Sequence, residues 1–96
     1  MLKKNYSKTG QVCRVTFKLP AEVEAAKAEL LGEFNEWAGS PMKRLKDGSF
    51  SATVSLEAEQ EYRFRYLLDG ERWENDWSAD AYRPNGHGTE DSIVIV

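Results

Sequence analysis

Ninety-six residues with a net charge of −3 make room for one domain and a single modest core. The composition, 41% hydrophobic and 30% charged, is that of an ordinary globular protein, and no apolar run approaches the ~20 residues of a membrane span. Cys13 is the only cysteine, which excludes an internal disulfide and fits a cytoplasmic setting.

Met1 to Gln11 is basic and polar, without the apolar stretch of a signal peptide, and reads as a solvated arm over residues 1–11. The domain proper is then 12–96. Val12–Leu19 alternates cleanly: Cys13, Val15, Phe17 and Leu19 point one way and Arg14, Thr16 and Lys18 the other, a half-buried strand that Pro20 ends. Cys13 is therefore a small core hydrophobe, not a nucleophile. Ala21–Leu31 scores well as helix, but it is short and has no helical stripe beyond one turn. It divides best into a turn or one helical turn at 21–25 and a strand at 26–32.

Asp47-Gly48 is a hairpin signal joining 42–45 to 50–56, where Phe50, Ala52, Val54 and Leu56 alternate with Ser51, Thr53 and Ser55. In the next strand Tyr62, Phe64, Tyr66 and Leu68 share one face, and Arg63, Arg65 and Leu67 the other. Asp69-Gly70 turns the chain into Glu71-Arg72-Trp73. Residues 74–91 read as one long polar loop, and 92–96 as a last strand. About seven short strands with frequent turn signals describe an all-β antiparallel sandwich.

Charge is unevenly spread. Residues 1–20 carry five basic residues and no acidic one, whereas 69–91 carry seven acidic residues against Arg72 and Arg83. The basic end has one aromatic, Tyr6, and no extension elsewhere, so no nucleic-acid partner is expected. His87, the single histidine, has no second histidine or cysteine with which to build a zinc site, and no metal or cofactor is expected. Asp76, Asp80, Glu90 and Asp91 match no calcium-loop spacing. The 16 carboxylates are scattered, nothing places a base beside Cys13 or a serine, and so small a domain offers no deep cleft. The chain reads as a non-enzyme.

What remains is a set of rings and planar polar groups near strand ends. Trp37 closes the run Leu31-Gly32-Glu33-Phe34-Asn35-Glu36-Trp37, and Trp73 follows the Asp69-Gly70 turn. Each ring either closes a thin core or stands out as a flat platform; composition favours neither. Together with Arg65, Asn75, Asp76 and Asp91 they make an inventory suited to sugars, whose C–H faces stack on indole and whose hydroxyls pair with planar polar groups.

The ordered set Gly32-Glu33-Phe34-Asn35-Glu36-Trp37, Asp47-Gly48-Ser49-Phe50, Tyr62 to Gly70 with Trp73, and Gly88-Thr89-Glu90-Asp91-Ser92 resembles the starch- and glycogen-binding modules. These form carbohydrate-binding module family 48, the early-set immunoglobulin-like domains of branching and debranching enzymes, and include the glycogen-binding domain of AMP-activated protein kinase β-subunits. The resemblance runs from about Val12 to Val96 and implies an immunoglobulin-like sandwich. It further implies a module in which Trp37 and Trp73 stack on α-1,4-linked glucose, Arg65 bonds hydroxyls and Thr89 lies beside the sugar. Asp91 takes the place of an asparagine, keeping an acceptor but losing a donor, and His87 that of an apolar finger. Trp77, where a proline is common, is expected as a core plug, with a third platform as the alternative. The implied partner is an α-1,4-glucan or malto-oligosaccharide, with a glucan-active enzyme in trans as a further one. An alternative of a different class is a protein-interaction scaffold of the same fold without its own sugar site.

Overall fold

Period-two alternation, with no helical stripe, builds this chain. The computed structural model describes residues 2–96. Among them are the strands β1 (Leu2–Tyr6), β2 (Val12–Leu19), β3 (Ala28–Gly32), β4 (Ser40–Pro41), β5 (Lys43–Arg44), β6 (Phe50–Glu57), β7 (Glu61–Leu68), β8 (Arg72–Glu74), β9 (Ala81–Pro84) and β10 (Glu90–Ile95). Single 3-10 turns lie at Ala21–Val23 and Glu33–Asn35. No helix among the described residues is long and apolar enough to cross a membrane.

The strands form two antiparallel sheets. One has the order β1-β2-β6-β5, the other β4-β3-β7-β10-β9, with β8 replacing β10 along the second half of β7. These are the neighbour relations of an immunoglobulin-like sandwich, strands A-B-E-D facing C-F-G, with short strands added at the margins. The core lies between the sheets where the alternation placed it: Cys13, Val15, Phe17 and Leu19 of β2 face Phe64, Tyr66 and Leu68 of β7, and all are buried. Phe17 packs edge-on against Phe64, centroids 4.9 Å apart, and also touches Phe34 at 5.4 Å.

Two expectations about the strands are corrected, and one short strand is added. The N-terminal arm is instead, over Leu2–Tyr6, an edge strand whose Leu2 and Tyr6 stand opposite Phe17 and Cys13. Lys4 pairs with Asp80 at 2.7 Å, tying this edge to the opposite sheet. Within the supposed loop 74–91, residues Ala81–Pro84 form β9, paired with β10. Ser40–Pro41 adds a two-residue strand to β3. All three are short segments paired with the strand next to them in sequence, and so few, largely polar residues carry too little alternation to show it.

The two Asp-Gly turns differ. Asp69 and Gly70 both take positive φ, 54° and 73°, the primed turn that suits a twisted hairpin. At Asp47-Gly48 only Gly48 does, at 88°, while the Asp47 carboxylate accepts the Ser49 N–H at 2.9 Å. The bond from the Ser49 hydroxyl, with that from its N–H, holds the Asp47 carboxyl below its ordinary pKa.

A tryptophan-lined depression as candidate binding site

The loop after β3 assigns a task to nearly every residue of its motif. Gly32 lies where a Cβ would come within 2.7 Å of the Phe34 ring and 2.8 Å of the Arg63 carbonyl, so only glycine fits without displacement. The Glu33 carboxylate accepts the Arg63 backbone N–H at 2.6 Å. Phe34 turns into the core beside Phe17 and Tyr62. Asn35 accepts the Gly32 N–H at 2.9 Å and donates to the Leu30 carbonyl at 2.9 Å and to the Ser40 hydroxyl at 3.0 Å. Glu36 and Trp37 then occupy two successive left-handed conformations, φ 56° and 60°, which costs roughly 1–2 kcal/mol per residue. Backbone bonds from Trp37 N–H to Gly32 O (2.9 Å) and from Ala38 N–H to Asn35 O (3.0 Å) hold that bend.

After those tasks are met, Trp37 is left outside, 38% exposed, as is Trp73 at 47%. Neither closes the core. On the outer face of the larger sheet Trp73 stands opposite Leu67, with Arg65 two residues along β7 and opposite Leu31. The Arg65 guanidinium lies over the Trp73 ring, 5.4 Å from its centroid, a cation–π contact that fixes both groups. Its Nε is shielded from solvent and has no hydrogen-bond partner among the described residues. A buried donor of this kind favours an acceptor.

Trp37, Arg65, Trp73, Asn85, His87 and Asp91 line one depression of about 330 Å³. Five of these were expected from sequence; Asn85 was not, although its place in Asn85-Gly86 is a turn signal. A larger hollow of about 520 Å³ lies by the β1–β2 turn, but its walls (Thr9, Gly10, Gln11, Val12 and residues 57–59) contain no ring, so it offers no stacking surface.

Asn85 organises the β9–β10 turn. Its amide donates to the Thr89 hydroxyl at 2.8 Å and to Asp91 at 3.2 Å, and its oxygen accepts the His87 N–H at 3.0 Å. Gly86 and Gly88, at φ 82° and 81°, supply the positive angles on either side of His87. The other Asp91 oxygen takes the Arg63 guanidinium at 3.2 Å, and the same Arg63 nitrogen bonds the Pro84 carbonyl at 3.1 Å. Asp91, 6% exposed, therefore has both oxygens engaged and acts as an anchor rather than as an open hydroxyl reader. Thr89 is not among the lining residues; its hydroxyl is committed to Asn85.

Three other expectations change. Asp76 is buried, 1% exposed, and accepts the Tyr66 hydroxyl at 2.8 Å and the Ser78 N–H at 2.8 Å. Burial, with the Asp76 charge beside it, pushes the Tyr66 phenol far above its ordinary value. Asn75 accepts the Ser92 hydroxyl and donates to the Glu90 carbonyl. Both residues are engaged in a structural network, and neither lines the depression. Trp77 is the reverse case: at 54% exposed, with its indole N–H 3.3 Å from Glu74, it is no core plug.

Fold and site together define an immunoglobulin-like β-sandwich with a shallow, two-tryptophan depression on one sheet. No family model matches the chain, and no curated protein matches it.

Proposed function

We propose that this chain is a non-catalytic α-glucan-binding module of the carbohydrate-binding module family 48 type. The observation that carries the reading is the meeting of Trp37, Trp73 and Arg65 at one depression, with the rings exposed and the Arg65 Nε without an acceptor. Indole faces suit the C–H faces of glucose, and a ring oxygen or hydroxyl would accept from Arg65. The fastened bend before Trp37 and the Asn85-braced turn make the platform largely pre-formed, which lowers the ordering cost of binding. A shallow site still buries few atoms, so affinity should lie between about 1 μM and 1 mM for a malto-oligosaccharide.

Titration with maltoheptaose, followed by tryptophan fluorescence, tests the proposal. A saturable change is expected, weakened at least about tenfold in Trp37→Ala and in Trp73→Ala while the thermal transition stays in place. No response in the folded wild type sinks the sugar reading and leaves the scaffold alternative.

A further inference from the structure

The edges of the two sheets are unequally guarded. β1 carries Lys3 and Lys4, β9 ends in Arg83-Pro84, and β4 is two residues long and contains Pro41. Charge, proline and shortness each discourage strand addition. β6 has none of these along its free part. β5 covers only Phe50 and Ser51, and the next five residues, Ala52-Thr53-Val54-Ser55-Leu56, are uncharged, without proline and without a partner strand on that side among the described residues.

The direction of the open backbone groups follows from the ladder. Ala58 N–H donates to Gln11 on the β2 side, and Leu45 N–H donates to Ser49 on the β5 side. Alternation in an antiparallel pair then turns the N–H and C=O of Thr53 and Ser55 away from β2, into the gap beyond Lys43. Beside that gap runs a groove of about 580 Å³, lined in part by Leu30, Pro41, Leu45, Ala52 and Val54. Ala52 and Val54 are only half-buried, although they face the core side.

We propose that this edge is a self-association surface, on which a second copy of the chain adds its own β6 antiparallel about a two-fold axis. The register is constrained. Centring the axis on Val54 would put Glu57 of the copy opposite Ser51, where Lys43 already stands. Centring it on Ser55 avoids that collision. Ser55 then faces its own equivalent, Thr53 faces Glu57, and Val54 and Ala52 meet Leu56 and Ala58 on the groove side. Glu57 of each copy ends one step along the edge from Lys43 of the other, on the same outer face, so opposite charges meet twice. The Glu57 carbonyl already accepts the Tyr62 hydroxyl at 3.0 Å and has a second lone pair for the new ladder. An isologous contact of this short length makes a weak dimer, with a dissociation constant of roughly 10 μM to 1 mM.

Register-specific cross-linking tests it. Ser55 and Thr53 are both exposed, and native Cys13 is fully buried, so single cysteines at these positions report the edge alone. Facing residues of an antiparallel pair lie about 5.5 Å apart at Cα, within disulfide reach, whereas the two Thr53 positions would be separated by roughly 14 Å. Mild oxidation of Ser55→Cys should give covalent dimer at least about tenfold faster than Thr53→Cys, with sedimentation equilibrium showing wild-type dimer as the concentration nears ~1 mM. Equal cross-linking of the two variants, or a wild type that stays monomeric over that range, overturns the proposal and leaves the edge to a strand from another protein.

Discussion

Trp37 and Trp73 reach the same depression by different physical routes. Trp73 stands on a strand: its position follows from the Leu67 pairing, the Asp69-Gly70 turn and the guanidinium of Arg65 over its ring. Trp37 stands on a bend of two left-handed residues held by backbone bonds, by the Asn35 amide and by a glycine that cannot be replaced without displacement. A ladder determines a side chain's direction by its period alone, whereas an irregular bend needs a specific bond for each departure from it. The Trp37 side should therefore be the more fragile half of the platform, and the neutral one. The Trp73 side should be robust to single substitutions but sensitive to acid.

The largest expected effect is from Asn35→Ala. It strips the Gly32 N–H and the Leu30 carbonyl of their half-buried partner, and should cost about 2–3 kcal/mol in urea unfolding. Maltoheptaose affinity should fall with it, because the bend before Trp37 loses its brace; unchanged stability would mean that water replaces Asn35 at no cost. Gly32→Ala comes next, at about 1–3 kcal/mol, since the added methyl meets the Phe34 ring and the Arg63 carbonyl. A change below ~0.5 kcal/mol would show that Phe34 yields freely, in which case this loop is softer than the contrast requires.

The smallest effect separates the halves by pH. Asp69 accepts the backbone N–H groups of Lys27 at 3.0 Å and Ala26 at 2.8 Å, and those bonds hold its carboxyl below the ordinary 3.8. A lowered native pKa means that the contribution is present above the ordinary value and is lost as the pH falls through the lower native one. The Arg83 guanidinium lowers Glu61 likewise from 4.5, which places a second acid-sensitive contact in the same sheet. On titrating from pH 5 downward, amide exchange at Ala26 and Lys27 should rise once the pH drops below about 3.8, before that of Trp37, whose bend depends on the uncharged Asn35. Simultaneous loss would mean that global unfolding, not the hairpin anchor, governs both.

The long strands were legible in the sequence because their evidence is local. Alternation in 12–19, 50–56 and 62–68 assigned inner and outer faces that the sheets reproduce, including Arg65 on the outside. Asp-Gly marked both hairpins, and the resemblance to sugar-binding modules singled out Trp37, Trp73 and His87, which share one depression. The short strands β1, β4 and β9 were not legible, since two to five mostly polar residues carry too little alternation to mark a strand.

Residues 74–91, where short strands alternate with turns, show the same division more sharply. By itself the sequence determined an all-β chain, the facing of its long strands, and which rings and cations were available for a site. Only the tertiary structure decided that Asp76 and Asn75 go inside, that Trp77 stays out, that Asp91 is spent on Arg63 and Asn85, and that Asn85 joins the lining. The physical reason is that a strand fixes the direction of each side chain through a two-residue period, while an Asn, Asp or Trp in a loop goes wherever a distant partner satisfies it or leaves it exposed.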